Sequence, residues 1–301
     1  MVAIFTVLLL VSIYIPVLWI ISMLFLILPF FIYSAKYPQK YSTLMVLASS
    51  VISMIIGGVF SIGLALAYGT TGLVMGYFVQ MKKGKFAIYM AGSLTFLVNT
   101  ILQYVIAIAF FQINFIEDFT KMFKESYTQS INLMKQLGQP VPDNMMEQFN
   151  EMLNLIQILM PSLLVLASFL IVLLMMIVNF PIAKRLGIQV PNWAPFREWQ
   201  VPKSVLWYYL ILLLGNLIVA PEPGSTWYIA SVNLMFMLQL CFYIQGLAFI
   251  YFYGHYKNWT KAIPIIITIV SILFLPILYF IRLLGIIDLG FHLRQRLQQK
   301  S

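Results

Sequence analysis

Apolar residues fall along this chain in blocks of about 17 to 30, separated by short polar turns, and a block of that length crosses a bilayer as a helix. The first block, Val2 to Tyr33, would make one helix of about 50 Å at 1.5 Å per residue, well beyond a hydrocarbon core of roughly 30 Å. Pro16 and Pro29 interrupt it, so the pattern predicts two helices, about 2–14 and 17–34, that turn at Pro16 and return to Lys36 and Lys40. Further spans are expected at 42–56, at 59–80 after the Gly57-Gly58 turn, and at 86–112 after Lys82-Lys83-Gly84-Lys85. Three more follow at 204–220, 227–253 and 262–284.

Between these blocks, Asn114 to Gln157 breaks the pattern. Phe115, Phe119, Met122 and Phe123 recur at helical spacing, as do Ile131, Met134 and Leu137, which predicts an amphipathic helix. Gly138 to Pro142 ends it, and Asp143 is expected to cap a second helix that carries Glu147 and Glu151 in its opening turns and runs on into a span ending near Pro181. The fold class that follows is all-α: a polytopic transmembrane bundle of 8 or 9 spans with an amphipathic helical cap on the non-cytoplasmic side. Three segments are expected: a six-helix membrane core at 1–185 including the cap, a cytoplasmic loop at 186–203, and C-terminal membrane helices with a basic tail at 204–301.

Composition agrees with this and excludes other classes. Of the residues 62% are hydrophobic and 9% charged, and the longest polar stretch is too short to bury a core of its own. The blocks are continuous rather than alternating, against a barrel. The net charge of +9 is spread over the edges of spans, which reads as topology and contact with anionic membrane lipids rather than nucleic acid. Loops 35–41, 81–85, 184–203 and 254–261 hold eleven basic residues and one acid, whereas 114–157 holds six of the nine acids. Positive-inside ordering therefore puts the N-terminus and these loops on the cytoplasmic side of a bacterial cytoplasmic membrane, with the first helix retained rather than cleaved. Nine alternating spans would then leave Arg294, Arg296 and Lys300 outside. Either the last segment bends at Pro276 and returns, or the first 33 residues make one kinked span.

Candidate chemistry is sparse. No metal-binding, nucleotide-binding or hydrolase motif occurs, and one cysteine with two histidines argues against a metal site, so neither an enzyme nor a cofactor is expected. Polar side chains within spans need protein partners or a ligand. Asn99 and Gln103 stand one turn apart and Asn179 lies in the span after the cap. They are candidate ligand-binding groups beneath the cap with Tyr68, Tyr89 and Tyr104 as walls, and interhelical hydrogen bonding is the plain alternative. Gly69, Gly72 and Gly76 clear a helix face for close packing. The loop with Trp193, Arg197, Glu198 and Trp199 is a candidate partner surface.

Four stretches carry a resemblance: Leu28-Pro29-Phe30 before a basic turn, Gly69-x-x-Gly72-x-x-x-Gly76-Tyr77, Arg197-Glu198-Trp199-x-x-Pro202 ahead of Trp207, and Leu284-Gly285-Ile286-Ile287-Asp288. Together they resemble the YybS-like family of bacterial membrane proteins, over nearly the whole chain. The first six helices are in turn similar in layout to the substrate-binding components of energy-coupling-factor transporters, although the cap and the spans after 204 lie outside that layout. The resemblance implies a transport-related protein that binds a small or amphiphilic molecule under the cap and relies on a coupling ATPase module for energy. YybS-like proteins also tend to be encoded beside a membrane-bound cyclic-dinucleotide phosphodiesterase, which implies the alternative of a non-transporting scaffold or regulatory subunit for a membrane signalling or envelope complex.

Overall fold

The computed structural model describes residues 1–139, 142 and 144–298. Asp143, the expected helix cap, and Lys300 lie outside them, as do Pro140 and Val141 of the expected break. The described residues form helices and turns without a strand. Backbone groups have no water to bond inside a bilayer, and a helix satisfies them within one segment.

One compact unit comprises residues 1–153 and 163–192. Its helices are α1 (Val2–Tyr14), α2 (Trp19–Phe25), α3 (Leu28–Lys36), α4 (Gln39–Gly57), α5 (Val59–Gln80), α6 (Lys85–Phe111), α7 (Phe115–Gln136) and most of α8 (Met145–Arg185). The predicted pair at 2–14 and 17–34 exists, but α1 has 13 residues and reaches only about 20 Å, less than a full crossing. It runs antiparallel to α2 and α3, with Ser12 and Ser22 hydroxyls 2.7 Å apart and the Phe5 and Phe30 rings 4.9 Å apart. The tyrosyl hydroxyl of Tyr14 donates to the Ile56 carbonyl at 3.1 Å, tying the end of α1 to the end of α4. Leu26 and Ile27 keep helical dihedrals between α2 and α3, and together Trp19–Lys36 is long and apolar enough to cross.

The small-residue face of α5 meets α3. A Cβ on Gly72 would stand 2.7 Å from the Phe30 Cβ and 3.0 Å from the Phe31 backbone nitrogen; one on Gly76 would stand 2.6 Å from the Ser34 Cβ; one on Gly69 would press on Val46 of α4 at 3.0 Å. The glycines therefore let α5 approach its neighbours backbone to backbone. At the basic end of this unit, Gln39 donates to Gln80, Gln80 donates to the Tyr37 carbonyl and the Lys36 ammonium donates to the Leu186 carbonyl, so the ends of α3, α5 and α8 sit together.

The second unit comprises residues 154–162 and 193–301. It contains a short 3₁₀ turn (Phe196–Glu198), α9 (Ser204–Val219), α10 (Thr226–Tyr256), α11 (Ala262–Leu273), α12 (Leu275–Phe291) and α13 (Leu293–Gln298). Among the described residues, six helices or near-continuous helix pairs are long and apolar enough to span: Trp19–Lys36, α4, α5, α6, α8 and α10. The bent pair α11 and α12 makes a seventh if counted as one, and α1 and α9 are shorter apolar helices.

The geometry of α11 and α12 bears on the last crossing. The chain bends by 118° at Phe274, where Pro276 at the start of α12 supplies no amide hydrogen. Going into the bend, Pro264 lies against Gly254 of α10, and the Tyr243 hydroxyl bonds Ser271 at 2.7 Å, so α11 is antiparallel to α10. Coming out, Arg282 donates to Gln239, Gln245 to Asp288, and Arg294 stacks over Phe252, so α12 runs parallel to α10. The segment is a helical hairpin that enters and leaves at the same end of α10. Arg294 and Arg296 thus stand at the end of the unit that carries Lys257 and Lys261, which is the first of the two alternatives posed by the sequence.

Candidate functional site

Each amide singled out within the spans has a helix partner. Asn99 donates to the Thr70 hydroxyl of α5 at 2.9 Å and to the Thr95 carbonyl at 2.8 Å; Gln103 donates to the Gly63 carbonyl at 3.0 Å. Both therefore join α6 to α5. Asn179 is buried on α8, donates to Leu24 of α2 at 2.8 Å and to Met175 at 2.7 Å, and leaves its Oδ1 buried without a hydrogen-bond partner. The described hydrogen bonds do not join these three side chains to one another. Tyr68 is buried edge-on against Phe96, and the Tyr89 hydroxyl donates to the Phe169 carbonyl of α8. Tyr104 donates to Asn114 Oδ1 at 3.1 Å, the atom that also accepts from the Glu117 amide at the N-terminus of α7.

A groove of about 500 Å³ lies in the cap, between α7 and the opening turns of α8. Phe123, Tyr127, Phe149 and Met152 give it apolar walls, and Ser126, Ser130 and Gln148 supply hydroxyl and amide groups. The rings of Tyr127 and Phe149 stack at 3.7 Å with an interplanar angle of 7°, and the Tyr127 hydroxyl lies 3.5 Å from the Met145 carbonyl. Ile131, Phe149 and Leu153 are buried. This two-helix packing follows from the sequence locally: α7 carries Tyr127 and Ile131 one turn apart on the side facing α8, and α8 is long enough at 41 residues, about 60 Å, to extend past a bilayer core and meet them. Apolar walls with a few placed polar groups suit a molecule with both an apolar and a polar part. Among the described residues, no charged side chain lines the groove.

In the second unit a buried polar cluster holds the 193–203 loop. Asp288 and Arg294 form an ion pair at 3.0 Å with both side chains nearly inaccessible. Gln245 donates to the same Asp288 oxygen at 2.5 Å and accepts from the Val201 amide at 2.8 Å, while Arg294 donates to the Arg197 carbonyl at 2.8 Å. Trp193, Phe196 and Trp199 pack ring to ring, Phe196 meets Tyr251 of α10, and the Trp199 indole donates to the Ala194 carbonyl. Glu198 reaches Arg197 only loosely, at 3.9 Å. Sequence reasoning singled out this loop but not the cluster beneath it. Asp288 and Arg294 are six positions apart across a helix break, a spacing that no helical rule pairs.

Asn233 has a distinct role. Pro161 deprives α8 of one backbone donor, and the Asn233 amide sits beside the gap, accepting from the Ser162 amide at 2.9 Å and donating to the Ile158 carbonyl at 2.6 Å.

Comparison with known proteins agrees with this architecture. The model of a family described as "Predicted membrane protein (DUF2232)" matches residues 3–289. The chain belongs to that family. It is also 29% identical over 299 residues to the "Uncharacterized protein YybS" of Bacillus subtilis (strain 168), covering 99% of this chain and 96% of that protein. No solved structure matches. The chain is thus a YybS-like multi-pass membrane protein.

Proposed function

We propose that this membrane protein is a non-enzymatic binding component for an amphiphilic molecule, taken up in the cap groove between α7 and α8 on the outward face, and that a separate membrane partner supplies energy or reads the bound state. The observation that carries the reading is the groove itself: an open, largely apolar hollow with Ser126, Ser130 and Gln148 in its lining. It differs from the arrangement expected from the sequence in placing the ligand within the cap rather than on Asn99, Gln103 and Asn179, each of whose amide nitrogens donates to a neighbouring helix. The basic ends of the helices face the cytoplasm in this reading, as the distribution of lysine and arginine favours. A coupling ATPase module or a signalling protein would meet the aromatic loop at 193–203, which the Asp288, Arg294 and Gln245 cluster holds in one shape.

Native mass spectrometry of the full chain, released in mild detergent from its own membrane, tests this. One amphiphile retained near stoichiometry is expected, and Ser126→Trp, which sets an indole into the groove against its apolar walls, should remove it while leaving the protein folded. Retention undiminished in Ser126→Trp, or an empty wild-type protein, would overturn the assignment. The scaffold reading gains from the same cluster in the second unit, and recovery of a stoichiometric protein partner with an empty groove would favour it.

A further inference from the structure

We infer that the first turns of α7 are a lipid-contacting surface, immersed at the outward boundary of the bilayer rather than closing over the helix bundle. Phe115, Phe119, Met122 and Phe123 form one stripe, and all four are exposed, at 57%, 45%, 60% and 43%. Glu117, Lys121 and Lys124 occupy the opposite side of the helix, with Asp118 and Glu125 on its flank. The side facing α8, through Tyr127 and Ile131, adjoins the stripe at Phe123 and turns away from Phe115, Phe119 and Met122, so these three are not the surface that holds the hairpin together.

The occupant follows from where the stripe begins. Asn114 caps α7 and is held by the Tyr104 hydroxyl, about two turns before the end of α6. The chain leaves α6 through left-handed Gln112 and doubles back, so that α7 starts beside the last turns of a membrane span and not above them. Those last turns are themselves apolar and outward-facing: Phe110 is 79% exposed and Phe111 is also exposed. The α7 stripe therefore continues the surface that α6 presents to acyl chains. An amphipathic helix with aromatic residues on one side and charged residues of both signs on the other, at that depth, has the chemistry of an interfacial helix. The lipid contact does not depend on the ligand reading, although Phe123 belongs both to the stripe and to the groove wall, so an amphiphile could enter the groove from the leaflet.

Spin labelling of the full chain decides it. In a Cys241→Ser background, single cysteines replace Phe115, Phe119 and Met122 on the stripe and Lys121 and Lys124 opposite. The protein is reconstituted in vesicles of phosphatidylethanolamine and phosphatidylglycerol. Collision with oxygen relative to a water-soluble nickel chelate should be at least about threefold higher on the stripe than opposite, with the period of a helix. Equal nickel access on both sides would place the hairpin in water, and exclusion of both reagents from the stripe would mean that protein covers it; either result overturns the inference. The three stripe positions are independent variants, and only those eluting as a single species with wild-type melting are scored.

Discussion

Replacing Gly246 or Gly285 with alanine should loosen the second unit more than any other single methyl group added to it. Helices α10 and α12 cross at these two glycines with their backbones in contact. A Cβ on Gly246 would fall inside the van der Waals envelope of the Ile281 carbonyl oxygen and 2.9 Å from its carbon; one on Gly285 would meet the Phe242 carbonyl oxygen and stand 2.9 Å from the Gly246 nitrogen. Those obstacles are backbone atoms, so no side chain can rotate away, and the helices must separate by more than about 1 Å to reach ordinary contact. Overpacking of this kind costs about 1–3 kcal/mol. The same separation stretches the hydrogen bond from Gln245 to Asp288, 2.5 Å in the native arrangement, and with it the tie to the Val201 amide. We expect each variant to lose about 2–4 kcal/mol in all, measured by thermal unfolding in detergent with size-exclusion detection. Gly290→Ala is the internal control: it lies on the same helix, a Cβ there meets nothing within 4 Å, and its stability should hold or rise slightly. Melting of Gly246→Ala and Gly285→Ala alongside Gly290→Ala would refute the backbone contact.

Other consequences can be checked alongside. Asp288→Ala strands a buried guanidinium and should cost about 3–5 kcal/mol, whereas Asp288→Leu combined with Arg294→Leu should recover much of the loss; a double variant no better than the single would contradict the pairing. Asn99→Leu and Gln103→Leu each break one interhelical bond and should cost about 1 kcal/mol without unfolding the protein, and a much larger loss would mean that these amides do more than join α5 and α6. Asn233→Leu leaves the Ser162 amide and Ile158 carbonyl without their side-chain partner beside Pro161, so a loss of about 1–3 kcal/mol of stability is expected in thermal unfolding. Single cysteines at Lys203, Arg296 and Glu222 in the Cys241→Ser background should label with an impermeant maleimide from one side for the first two and from the other for the third, since α12 returns to the end of α10 from which α11 left; opposite labelling of Arg296 and Lys203 would rule out the hairpin.

Much of the architecture is written in one dimension. A span is a run of apolar residues, its end a lysine or a proline, and a long amphipathic helix a repeat of phenylalanines at three and four, because bilayer thickness and backbone hydrogen bonding leave few other solutions. Hence α4, α5, α6, α10 and the cap helix α7 were legible, and so was the glycine face of α5. What the sequence could not decide was the last crossing. Arg294 and Arg296 conflicted with an even alternation of spans, and only the pairings of Gln239 with Arg282 and of Gln245 with Asp288 reveal that α12 runs parallel to α10. The same limit applies to the candidate site. An asparagine in a span looks alike whether it binds a ligand or a neighbouring helix, and tertiary structure gave Asn99, Gln103 and Asn179 their partners while opening a groove between α7 and α8, whose walls come from residues more than twenty positions apart. Periodicity reports which side of a helix is apolar; which neighbour covers that side depends on packing between distant segments, and that is settled only once the chain has folded.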